Sequence, residues 1–195
     1  MATGHTDPRR RERIITAALD LIADEGVAGV SHRKIAARAG VPLGSMTYHF
    51  RGIDDLLHAS FTHFAAGVAA VFEAHLARAA DRDQARVAVA DLVHALAEGP
   101  RRDLVLAQEL YTLAVREPAY RELAREWMRR SRVHLERHFD PATARGLDAL
   151  IEGLVLHRAV DGERHDRALT LEAVVRITAT GETIDGSSSN GPLTR

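Results

Sequence analysis

Between residues 31 and 50 the chain reads SHRKIAARAGVPLGSMTYHF, and no other stretch limits the possible folds so tightly. Ser31 stands where a helix N-cap would stand, able to accept from the amides of Arg33 or Lys34. SHRKIAARAG then reads as a short helix with Ile35, Ala36 and Ala39 facing inward. Gly40 supplies the left-handed conformation that closes it. Pro42 suits the first turn of the next helix, because its missing N–H would be unpaired there anyway. That helix has room to run only to about Phe50. Two short helices joined by a tight glycine-containing turn are the signature of a helix-turn-helix unit.

The rest of the chain is read as helical too. Ala, Leu, Arg and Glu are abundant, and no run of period-two alternation stands out. Breakers at Gly26, Gly29, Gly52, Gly99-Pro100, Pro118, Pro141 and Gly162 separate segments of helical length. In about 9–25, Ile14, Ala18 and Leu21 with Ile15, Leu19 and Ile22 form one apolar stripe. A long helix is predicted over about 53–79, opened by Asp54 and Asp55 at the positive end of its dipole. Further helices are placed near 83–97, 101–116, 118–138, 142–160 and 167–180. The fold class is therefore all-α: an N-terminal three-helix helix-turn-helix head plus a helical-bundle body for ligand binding and dimerisation. The expected division is 1–52 for the head, 53–180 for the body and 181–195, GETIDGSSSNGPLTR, for a disordered tail.

Composition removes several functions. There is no cysteine, hence no disulfide framework, thiolate metal site or cysteine nucleophile. The start, MATGHTDPRRRER, has no apolar core of a secretory signal. No uninterrupted apolar run approaches ~18 residues, so no membrane span is expected and a cytoplasmic location follows. Net charge is −1, but residues 1–51 hold eight Lys/Arg against five acids. A basic N-terminal block on a mildly acidic body suits an anion-binding head.

The block RERIITAALDLIADEGVAGVSHRKIAARAGVPLGSMTYHFRGIDDLL at residues 11–57 resembles the TetR family of bacterial transcriptional regulators. The shared pattern is an Ile/Leu helix, Glu-Gly, Ser/Thr, Ile-Ala-x-x-Ala-Gly-Val, Gly, Tyr-x-Phe, an acidic pair and Leu. IEGLVLHRAVDGE is similar to the penultimate helix of such proteins. The resemblance implies a repressor that binds a pseudo-palindromic double-stranded DNA operator as a homodimer. It implies dimerisation through the helices near 142–160 and 167–180, and release by a small-molecule effector of unknown identity. No cofactor and no metal are implied. The chain departs from the family at Pro42, where Ser is frequent, at Thr47, where a second Tyr is frequent, and at Ile53, where Lys is common. Losing that lysine should weaken the salt-dependent part of DNA binding; an arm of Arg9, Arg10 and Arg11 could offset it.

On that reading phosphate contacts fall to Ser31, Arg33, Tyr48 and His49, joined by the amides of Gly52 and Ile53. Base edges fall to Leu43, Ser45 and Thr47, with Gly44 permitting close backbone approach. The body should hold an effector pocket lined by Phe64, Tyr111 and Trp127, among Phe61, Phe72, Leu92, Leu96, Leu106, Leu110, Leu113 and Met128. His94, Gln108, Glu109 and His134 are its polar candidates. One alternative is a helical-bundle metal protein or enzyme: Asp55-x-x-His58, Asp91-x-x-His94 and the pair His134/His138 have suitable spacing, yet the Glu-x-x-His of di-iron bundles does not occur. A Ser-based hydrolase lacks its Gly-x-Ser-x-Gly turn. Another alternative is a DNA-binding regulator that takes no ligand.

Overall fold

The computed structural model describes residues 9–161 and 166–179; the segment 181–195, read above as a tail, lies outside them. The elements run α1 (Arg10–Glu25), α2 (His32–Ala39), α3 (Gly44–His49), α4 (Ile53–Leu76), α5 (Arg82–Ala97), α6 (Arg101–Arg116), α7 (Pro118–Leu135), α8 (Pro141–Asp161) and α9 (Arg167–Thr178), with no strand among the described residues. A 3-10 turn, Val27–Gly29, follows α1.

Local chemistry sets the ends of these helices. Ser31 caps α2, its Oγ accepting from the Lys34 amide at 3.4 Å. Gly40 closes α2 in the left-handed region (φ 63°, ψ 39°). Its amide and that of Val41 return to the carbonyls of Ala37 and Ala36 at 3.2 and 3.0 Å, which satisfies acceptors that the helix end would otherwise orphan. α3 begins two residues later than Pro42 suggested. Ser45 and Met46 donate to the carbonyls of Pro42 and Leu43 at 2.9 and 3.0 Å. A tight three-residue turn therefore precedes the α-helix, a common way for helix ends to tighten. Asp55, in the first turn of α4, accepts from the Arg51 amide at 3.0 Å just ahead of the helix.

Two apolar cores organise the molecule. The first joins Ile14 and Ile22 of α1, Ile35 of α2, Met46 of α3 and Phe50 to Leu56, Phe61 and Phe64 of α4, Leu106 and Leu110 of α6, and Trp127 of α7. The second joins Phe72 and Leu76 of α4 to Leu92 of α5, Leu135 of α7, Leu147 and Ile151 of α8, and Val174 of α9. Apolar packing therefore does not stop at residue 52; the head shares its core with three helices of the body. α4 passes through both cores. Its 24 residues span ~36 Å at 1.5 Å per residue. By length and composition α4 could cross a membrane, which the sequence reading did not anticipate. Its large apolar side chains are spent inside the protein instead: Leu56, Leu57, Phe61, Phe64, Phe72 and Leu76 are all buried.

Candidate nucleic-acid interface and effector cavity

α3 is held by what it buries. Met46 is fully buried and Phe50, just beyond the helix, is nearly so, which turns the opposite face outward. Leu43 is 54% exposed and Tyr48 73% exposed. A tyrosine so open packs on little of its own chain; its ring stands perpendicular to that of His49, with centroids 4.9 Å apart. Thr47 is exposed, and its hydroxyl donates to the Gly44 carbonyl at 3.1 Å. Its methyl and oxygen lone pairs stay unclaimed within the helix. A Cβ added at Gly44 would meet nothing within 4 Å, so internal packing does not demand a glycine there. Ser45 is different: it is buried, so of the proposed base readers it is the one placed inside the head.

The phosphate candidates sort in the same way. Ser31 is exposed and already engaged as a cap. Arg33 is exposed on the first turn of α2, and His49 is partly buried beside Tyr48. Ile53 packs its side chain on the first core, so it can meet a phosphate only through its amide. The neighbouring basic residues are occupied: Lys34 Nζ bonds Glu25 at 2.6 Å and the Gly29 carbonyl at 2.8 Å, and Arg38 pairs with Asp24 at 3.0 Å. The expected basic arm is partly helix. Arg10 and Arg11 lie in α1, and the Arg11 guanidinium sits over the Phe50 ring at 5.2 Å from its centroid.

The body's aromatic residues converge on Trp127. Tyr111 stacks on its ring (centroids 5.2 Å apart, 29° between planes), and Phe64 meets it nearly edge-on at 5.8 Å. Trp127 and Glu152 line a cavity of about 50 Å³ together with Val68, Leu96, Leu104, Ala107, Ile151 and Val155. A groove of about 570 Å³ adjoins it between α1, α4 and the α5–α6 turn, and Val68, Leu96 and Asp103 border both. Phe61, Phe72, Leu92, Leu106 and Leu110 are fully or almost fully buried core instead.

Buried charge at this place escaped the sequence reading. Asp148 and Glu152 lie one turn apart on α8, inside its otherwise apolar stretch 146–156. Asp148 pairs with Arg132 at 3.2 Å, yet burial still lifts it to about 6. Glu152 lies within hydrogen-bonding reach of the Tyr111 hydroxyl; burial first, then repulsion from Asp148, pushes it up to about 7. Burial beside these acids also raises the Tyr111 hydroxyl well above its ordinary range, so it remains a neutral donor. A carboxylate spaced one turn from another in an apolar stretch of helix was the signal available in the sequence.

The polar candidates named from sequence fall elsewhere. His94 bridges α5 to the last two helices, with Nε2 at 3.1 Å from Thr170 Oγ1 and Nδ1 at 3.3 Å from Arg158. His134 lies beside Glu73; burial and then Arg137 lower its pKa. Gln108 is half-buried on α6 and is not among the residues around the cavity. Glu109 points into the head: its Oε2 accepts from the Val27 amide at 3.2 Å. Helical phase sends His94, His134 and Glu109 to different neighbours, so the four do not converge on this cavity. The metal spacings are likewise committed. Asp91 pairs with Arg167 at 2.6 Å and Asp55 accepts from the Arg51 amide, and among the described residues no group of three or more His, Asp or Glu could hold an ion.

A helix-turn-helix unit with an open recognition face, mounted on a helical body with its own cavity, defines a DNA-binding regulator. Residues 14–60 match the bacterial regulatory proteins of the tetR family, and residues 80–180 match the tetracyclin repressor-like C-terminal domain. The chain is 31% identical over 174 residues to the HTH-type transcriptional regulator BetI of Burkholderia thailandensis, covering 84% of this chain and 88% of that one. The crystal structure of SCO7518 from Streptomyces coelicolor A3(2) is similar at 71% identity and a TM-score of 0.83, covering 88% of this chain and 99% of that one. The multidrug binding protein EbrR, complexed with ethidium, is similar at 39% identity and a TM-score of 0.72, covering 88% and 99%. The chain belongs to the TetR family of bacterial transcriptional regulators.

Proposed function

We propose that this protein represses transcription in the bacterial cytoplasm as a homodimer on a pseudo-palindromic operator, and that a small molecule entering the body releases it. Residues 1–52 act as the DNA-binding head and 53–180 as the effector and dimerisation body. Leu43, Thr47 and Tyr48 on the open face of α3 carry the reading: exposed apolar and hydroxyl groups on a rigidly seated helix suit base edges and phosphates. Arg33 and the first amides of α4 add phosphate contacts. Exposed Val160 on α8 and Leu169 and Val175 on α9 support pairing of two copies through those helices, which would fix the half-site spacing.

Release follows from how the cavity is tied to the head. α6 supplies Ala107 to the cavity wall. The same helix holds α1 through Arg102, whose Nε bonds Asp20 at 2.7 Å, and holds the turn after α1 through Glu109. In this conformation the inner cavity is about 50 Å³, too small for a drug-sized ligand. An effector that reaches into the inner cavity must therefore part the helices, and α6 hands that movement to the head. Driving the DNA-competent population from 99% to 1% requires ~10⁴-fold preference for the parted state, about 5.5 kcal/mol. That the similar EbrR was crystallised with ethidium, proflavin and malachite green supports an aromatic-lined site for a small molecule here.

Selection of random duplex DNA by the purified protein at two salt concentrations tests the reading. Recovery of a palindrome is expected; only weak binding abolished by salt, without a motif, would overturn it.

A further inference from the structure

The cavity holds an acid that no cation answers among the described residues. On α8, Asp148 is one turn from Glu152 and is matched by Arg132 of α7. From α6 come the Tyr111 hydroxyl and Asp103, which pairs with Arg102 at 3.3 Å. α4 and α5 contribute Val68 and Leu96. The charge acting on Glu152 from this surrounding is that of Asp148, which repels it. Trp127, 3% exposed, leaves its Nε1 donor without an acceptor among the described residues. An unpaired carboxylate away from water is costly, and it becomes favourable when a cation completes it. Stacked aromatic rings attract cations across their faces as well.

We infer that the effector is a flat aromatic cation, with its ring system in the adjoining groove beside Phe64 and its charged edge reaching past Trp127 to Glu152. This rests on the effector site proposed above. The adjoining groove, about 570 Å³ and bordered by Phe64 and Val68, has room for the ring system, while the inner cavity accepts the charged edge. Burial and Asp148 hold Glu152 near neutrality when the site is empty, so the arriving cation also draws out its ionised form. Anions are refused by the same two acids.

Two tricyclic probes separate charge from shape: proflavin, a cation at pH 8, and acridine, the same ring skeleton, neutral at that pH. Their affinities for the full chain are measured by calorimetry without DNA, and quenching of Trp127, the chain's single tryptophan, locates them. Proflavin is expected to bind at least about tenfold more tightly than acridine. Glu152→Gln should lose that preference, and Glu152→Asp, which keeps the charge, should retain most of it; thermal melts of both variants establish that they fold. Equal binding of the two probes, or an unchanged preference in Glu152→Gln, overturns the charge assignment while leaving the effector site standing. If neither probe binds or quenches Trp127, the effector site itself falls, and this inference with it.

Discussion

α3 and the cavity solve opposite problems with polar groups. On α3, Leu43, Thr47 and Tyr48 stand in solvent, and the nearby cations Lys34 and Arg38 are neutralised by Glu25 and Asp24. Such exposed pairs contribute little, of order 0–1 kcal/mol each, so the face costs the fold almost nothing while it waits for DNA. In the cavity, Glu152 sits among apolar walls beside a second acid. That arrangement weakens the empty protein until a ligand completes it. The difference teaches where function is charged to stability: a recognition surface is nearly free, a buried recognition group is not.

Removing the cavity's aromatic centre should have the largest effect. Trp127→Ala takes a ring from between Phe64 and Tyr111 and is expected to destabilise the protein by about 3–5 kcal/mol, read as a lower denaturant midpoint. A loss below ~1 kcal/mol would mean that the site is already loose and not a packed centre.

Glu152→Gln should act in the other direction. The folded carboxyl sits at about 7 against an ordinary 4.5, so between those values the folded chain holds a proton that the unfolded chain releases. Stability contributed by this group therefore falls as pH rises from about 4.5 to 7, and the cost is fully present above 7. The amide has no proton to lose. The variant should be more stable by ~2–3 kcal/mol at pH 8 and should match the wild type near pH 4.5; equal melting curves at pH 8 would remove Glu152 from the comparison.

α3 should show the reverse pattern, with DNA effects and a silent fold. Thr47→Ala is expected to change preference at one or two operator positions, costing ~1–3 kcal/mol per lost base contact. Its unfolding free energy should shift by less than ~0.5 kcal/mol. A uniform loss across all sequences would show that Thr47 is not a reader. Tyr48→Phe is the smallest change, about 1 kcal/mol of affinity, expected equally for every sequence in a binding titration; an altered preference would move Tyr48 from phosphate to base.

Legibility followed distance along the chain. The cap at Ser31, the left-handed Gly40, the inward Ile35 and the acidic opening of α4 each depend on residues within a turn or two, and the structure contains them. Even there a local competitor won once: three-residue hydrogen bonds at Pro42 and Leu43 delay α3 to Gly44. The cavity needed five helices whose contributors, from Val68 to Val155, are nearly ninety positions apart. Phe64, Tyr111 and Trp127 could be named from type, but not their stacking. His94 and Glu109 were drawn away by partners on α8, α9 and the head, which no local pattern encodes.

Short-range hydrogen bonding, helix propensity and apolar spacing determined the helices, their caps and the helix-turn-helix unit, because those forces act between residues a few positions apart. The tertiary structure decided that the head shares a core with α4, α6 and α7, that Ser45 is buried while Tyr48 is open, and that Glu152 is set beside a second acid. Burial and charge environment are sums over everything that surrounds a group, and only packing brings those surroundings together.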